Sequence, residues 1–109
     1  MPLMVYLTCP DLETARKIGQ ILLDERLIAC HNIFSGALEA GFLWKGQQEK
    51  SGEIAMIVKT MEDRFVELNK RILAIHPYET PCVIAIQIVA GNPDFLAWIN
   101  DSTRPLSQV

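Results

Sequence analysis

The stretch ACHNIFSGALEAGFLWKGQQEKSGEIAMIVKT, residues 29–60, decides the architecture of this chain. Ala29 to Phe34 and Ala37 to Lys45 read as one long strand interrupted at Gly36 and Gly41, since a glycine inside a strand marks a bulge, a bend or a close backbone approach. Gly46 supplies the turn, and Glu53 to Lys59 forms the return strand. Arms of about Ala29–Lys45 and Gln47–Thr60 extend to roughly 50 Å at about 3.3 Å per residue. A domain of this length has a radius of gyration near 13 Å and a diameter of about 35 Å, so the ribbon must fold back or overhang. The overhanging part carries Leu38, Phe42, Leu43 and Trp44, poor residues to leave in solvent on a free edge. Either the ribbon folds at Gly36 or Gly41 onto its own sheet, or it pairs with a neighbouring copy. The second solution removes overhang and edge together, and a head-to-tail ring closes without open edges. It is the favoured one.

Working outward, Leu3 to Leu7 is a short apolar run rich in β formers and reads as a buried strand. Pro10 suits a first helical position, and Asp11 and Glu13 put negative charge where the helix dipole favours it. Ala15, Ile18 and Leu22 recur at helical spacing, which predicts a helix from about Asp11 to Arg26. Thr60 followed by Asp63 has the form of a capping box, and Phe65, Leu68, Ile72 and Ile75 supply the apolar stripe of a second helix. His76-Pro77 ends it, because a residue before proline is pushed out of the α region. Val83 to Val89 is the last strand, Asn92-Pro93-Asp94 caps a short final helix, and the tail after Ser102 is expected to fray. The order is βαββαβ plus a C-terminal helix. This is an α+β, ferredoxin-like split βαβ fold: one domain over residues 1–109 with an antiparallel sheet. Two helices cover one face of that sheet, and the other face is short of polar residues.

The 109 residues carry 10 Lys and Arg against 13 Asp and Glu, a net charge of −3, and 50% hydrophobic residues. That balance lacks the positive potential that nucleic-acid binding requires, and no basic cluster exceeds Lys70-Arg71, so neither nucleic acid nor a membrane surface is an expected partner. The longest apolar stretches fall far below the ~20 residues of a membrane span. Met1-Pro2-Leu3-Met4 lacks the pattern of a signal peptide, and three widely spaced cysteines suit reduced thiols, so a cytoplasmic protein is expected.

Three groups able to bind protons or metals sit on the stiff block His76-Pro77-Tyr78-Glu79-Thr80-Pro81: an imidazole, a phenol and a carboxylate. The competing reading is a histidine that closes the helix and a tyrosine packed at an interface. Cys30 and His31 are adjacent on a strand and point to opposite faces, which argues against chelation by the pair. Cys9 precedes a proline at a helix start, where the dipole would lower a thiol pKa. Neither paired carboxylates, a catalytic triad nor a phosphate loop can be assigned, so an enzyme is not expected.

Six blocks in order resemble those of the CutA divalent-cation tolerance proteins: Thr8-Cys9-Pro10-Asp11, Leu27 to Ile33, Trp44-Lys45-Gly46, Ile57 to Thr60, His76 to Pro81, and Gly91-Asn92 through Phe95 and Trp98. The likeness spans about residues 3 to 103. It implies a homotrimer of ferredoxin-like subunits, similar to the PII signalling proteins, acting in tolerance of divalent metals, copper above all. His31 stands where the family has a small or apolar residue, Gly41-Phe42-Leu43-Trp44 replaces Ser-x-Tyr-x-Trp, Cys82 replaces a Glu and Gln87 a Pro. On this basis His76, with Cys9 or Cys82 as thiolate partner, is the candidate metal set, suited to copper(I) or zinc. Lys59, Tyr78, Glu79 and Trp44 are the candidate ligand-binding set in a cleft between subunits. No obligatory cofactor is expected; a copper or other divalent ion is the candidate ligand. The alternative is a PII-like regulatory trimer taking a small anion or a protein partner.

Overall fold

Alternation of apolar residues builds the sheet. In the computed structural model, which describes residues 1–105, β1 (Pro2–Cys9) runs through the centre of the domain. It pairs on one side with β4 (Gln47–Met61) and on the other with β5 (Val83–Gln87), antiparallel in both cases. β2 (Cys30–Ile33) lies on the far edge of β4, giving the order β2-β4-β1-β5. β4 is thus inserted between the parallel strands β1 and β2, the split βαβ arrangement expected from the element order.

Leu3, Val5, Leu7 and Cys9 point from β1 to one face, and Ile54, Met56 and Val58 from β4 join them. Two helices cover that face. α1 (Leu12–Asp24) is started by Asp11, whose carboxylate accepts from Thr14 N–H at 2.8 Å, and it buries Ala15, Ile18 and Leu22. α2 (Phe65–Ile75) follows a 3-10 turn at Glu62–Arg64 and buries Leu68 and Ile72. α3 (Pro93–Ser102) is capped by the Asn92 side chain, which accepts from Asp94 and Phe95 N–H, and it buries Ile99.

Thr60 does not cap α2. It is a fully buried strand residue whose hydroxyl donates to Leu27 O at 2.7 Å, and no side chain caps the 3-10 turn. A threonine with a buried backbone carbonyl opposite it satisfies that carbonyl first. The expected frayed tail is also corrected where it is described. Thr103 is fully buried and Arg104 forms a two-pronged ion pair with Asp63 at 2.7 and 2.9 Å. The remainder of that expectation, residues 106–109, lies outside the described residues.

The hairpin overhangs. β3 (Leu38–Trp44) pairs with the first part of β4 in a separate ladder, runs through Gly41 unbroken, and turns at Lys45-Gly46. Both turn residues have positive φ, 51° and 79°, the two-residue geometry whose twist matches antiparallel strands. The break in the first arm falls between Ile33 and Leu38, around Gly36. The return arm runs from Gln47 as its expected length required, and its polar first part, Gln47 to Gly52, is held by pairing with β3 rather than by burial. The 45 Å long axis exceeds the ~35 Å diameter of a compact chain of this length, and the radius of gyration of 14.6 Å exceeds its ~13 Å.

His31 explains a glycine inside a helix. A Cβ on Gly19 of α1 would come within 2.7 Å of the imidazole of His31. Gly19→Ala is therefore expected to destabilise the fold despite the ~1 kcal/mol that alanine gains in a helix. With His31→Ala alongside, the same change should stabilise it. Urea titration of the two single variants and the double variant measures this sign reversal.

Candidate functional site

Where β4 leaves the main sheet, Glu53 is carried to the face opposite α1 and α2. It is only 7% exposed. The phenol of Tyr78 donates to its Oε2 at 2.7 Å, and no other donor among the described residues reaches it. Tyr78 is placed by the stiff block after α2: its own N–H donates to His76 Nδ1 at 3.1 Å, and His76 Nε2 lies 2.8 Å from Thr8 O. A carbonyl on Nε2 and an amide N–H on Nδ1 together define the neutral Nε2–H tautomer. Burial, followed by the bond to Glu53 and its negative charge, pushes the Tyr78 hydroxyl well above an ordinary phenol, so it remains a donor throughout the physiological range.

These residues form the base of a cleft of about 950 Å³ beneath the overhanging hairpin. Phe42, Trp44 and Tyr6 give it aromatic walls, and it collects Glu49, Glu53 and Glu79 against a single Lys50. Its field attracts cations. Trp44 also lies under the ammonium of Lys45, 5.8 Å from the ring centroid.

Of the expected ligand-binding residues, Trp44, Tyr78 and Glu79 line this cleft and Lys59 does not. Lys59 sits six positions along β4 from Glu53, about 20 Å away at ~3.3 Å per residue. Its Nζ bonds Asn32 Oδ1 at 2.9 Å instead. Placing it in the cleft overlooked how far one long strand carries its residues apart.

The expected metal set is not assembled within the subunit. Both ring nitrogens of His76 are engaged by the backbone, and His76 is buried. Cys9 is fully buried with its Sγ 3.9 Å from Met56 Sδ. Burial, with Asp11 and Glu53 adding to it, raises its thiol to about 11, the reverse of the lowering expected at a helix start. Cys82 lines the cleft, and its thiol is raised by burial and by Glu53. Among the described residues, no group of three or more His, Cys, Asp or Glu could hold a metal ion. The donors of one subunit do not fit a resident metal.

The Cys9 shift gives a pH signature. A thiol whose pKa rises on folding leaves stability intact below the unfolded value of 9.0 and removes it as pH climbs to about 11. At about 1.4 kcal/mol per unit this amounts to roughly 2–3 kcal/mol. Urea unfolding at pH 8 and pH 11 should show a smaller loss for Cys9→Ala than for the native chain.

Glu53 was not singled out by sequence reasoning. The available signal was an acid immediately before the apolar run Ile54 to Val58, which is equally the mark of a strand end.

The CutA1 divalent ion tolerance protein family model matches residues 3–102. The divalent-cation tolerance protein CutA of Archaeoglobus fulgidus is 43% identical over 100 residues, covering 92% of this chain and 96% of that protein. That of Pyrococcus horikoshii is 41% identical over 102 residues, covering 94% and 98%. Among solved structures, CutA1 from Thermus thermophilus superposes with a TM-score of 0.92 at 38% identity, covering 95% of this chain and all of that one. The Archaeoglobus fulgidus structure, described as a periplasmic divalent cation tolerance protein, gives 0.91 at 41% identity with the same coverage. Matched over residues 3–102 and at 43% identity over 100 residues, this chain belongs to the CutA1 divalent ion tolerance family.

Proposed function

We propose that the protein is a cytoplasmic, non-enzymatic homotrimer that takes divalent cations, copper among them, as cargo in the clefts beneath its hairpins. The observation that carries the cation reading is the buried carboxylate of Glu53, with one oxygen bonded to Tyr78 and Glu49 and Glu79 around the same cleft. A small anion suits this cleft poorly, since the lining acids outnumber its one lysine. A single subunit has too few donors for a tight site, and a neighbouring copy is the natural source of the rest.

Assembly itself is supported by the apolar residues on the sheet face opposite α1 and α2 and on the hairpin. Ile84 and Ile86 stand half-exposed on β5, and the hairpin exposes Phe42, Leu43 and Trp44. An apolar area of this kind on a small domain marks an interface. The cytoplasmic placement rests on the three free cysteines, Cys9, Cys30 and Cys82.

Isothermal titration with zinc and with copper(II) tests the cation reading. Glu53→Gln keeps the shape of the side chain and is expected to weaken binding by roughly tenfold or more, the loss of one charge-assisted contact. Unchanged affinity and stoichiometry in that variant would remove Glu53 from the site.

A further inference from the structure

Cys30 and Lys59 are directly opposed across the β2–β4 pair, on a part of the sheet remote from the cleft. The lysine Nζ lies 4.0 Å from the cysteine Sγ. Two further contacts keep the amine there: Asn32 Oδ1 at 2.9 Å and the Phe95 ring, whose centroid is 6.0 Å away. The other two cysteines have different surroundings. Cys9 is sealed in the core against Met56, and both Cys9 and Cys82 feel the negative charge of Glu53. Cys30 is partly exposed, and it alone of the three has a side-chain amine within reach of its sulfur.

We propose that this pair is a peroxide-sensitive modification site, at which oxidation joins Cys30 Sγ to Lys59 Nζ in a reversible covalent cross-link. Hydrogen peroxide oxidises the thiol first: the sulfur takes one oxygen, the O–O bond breaks, and water leaves, giving a sulfenic acid. Lysine then releases its ammonium proton to solvent, and the freed lone pair attacks the sulfenic sulfur. An S–N bond forms, the S–O bond breaks, and the hydroxyl departs with a proton from nitrogen as a second water. One peroxide is reduced by two electrons, and the thiol–amine pair is oxidised by two. A thiol such as glutathione reverses the link by attacking sulfur and returning the amine.

Sequence adjacency could not reveal this pair, because the residues are 29 positions apart and meet only through the strand register. The link would fasten the edge strand β2 to β4. Its stem is flexible enough to close the gap: lysine has four rotatable methylenes, and the backbone register already holds the two Cα atoms opposite one another.

The test is hydrogen peroxide treatment of the reduced full chain, followed by intact mass measurement and peptide mapping without reductant. The expected product is about 2 Da lighter and yields a joined pair of peptides carrying Cys30 and Lys59. Dithiothreitol should separate them. The joined pair should be absent from Lys59→Arg and from Cys30→Ser, and retained in Cys9→Ser. Cys30 recovered in a linear peptide as its sulfinic acid, unmodified Cys30 in a chain oxidised elsewhere, or a link to a residue other than Lys59 would each overturn the proposal. The mapping of the native chain decides the matter even where a variant folds poorly.

Discussion

His76→Leu is expected to lower the stability of the fold by about 2–6 kcal/mol. The imidazole is buried and bridges two backbone groups: Nε2–H donates to Thr8 O and Nδ1 accepts from Tyr78 N–H. Leucine fills a similar volume but can do neither. Each orphaned group costs about 1–3 kcal/mol when water cannot replace the lost partner. At roughly 4–8 °C per kcal/mol for a domain of this size, the midpoint of thermal unfolding should fall by at least about 8 °C. The Tyr78–Glu53 bond depends on the same bridge, so the cleft should loosen with it. A loss below about 1 kcal/mol would mean that the histidine is not the structural tie that its two bonds describe.

Ile84→Glu is expected to dissociate the assembly. Ile84 lies opposite Tyr6 in the β1–β5 ladder, on the face that α1 and α2 leave uncovered. If copies close over that face, each one brings a carboxylate into an apolar contact, at an effective penalty of several kcal/mol per ion. Leu73→Glu is the matched control. Both residues are 53% exposed in the subunit, but Leu73 lies on α2, on the other side of the sheet. Sedimentation should report subunits for Ile84→Glu and an intact assembly for Leu73→Glu. Equal masses for the two variants would mean that the sheet face is not the interface.

The fold was largely legible because its signals are local. Leu3 to Leu7 is an unbroken apolar run rich in β formers, and it forms the central strand with Leu3, Val5 and Leu7 on the core side. Asn92 was readable as a cap, since a short polar side chain before an apolar stripe satisfies N–H groups that the helix cannot; Asp11, read as a first-turn residue behind Pro10, is instead the cap of a helix that starts at Leu12. The overhang was legible from simple lengths. Thr60 misled because its hydroxyl had a better acceptor, Leu27 O, brought near only by tertiary packing.

The site was less legible. His76 stood out as a potential ligand, but the fold spends both nitrogens on backbone groups, one of them 68 residues away. Cys9 seemed activated by its helix, yet the same strand that presents it also buries it, and desolvation outweighs the dipole. Glu53 gave no sign of its role until Tyr78, 25 residues on, was placed beside it. Charge and hydrogen bonding across such separations depend on register, which periodicity does not report.

Copies of the chain are expected to complete the exposed sheet face and the overhanging ribbon and to supply the rest of each cleft. Sedimentation equilibrium of the unmodified protein at micromolar concentration reads this out. A single species of three times the 12.3 kDa subunit mass is the predicted result. A folded species of one subunit mass would contradict it.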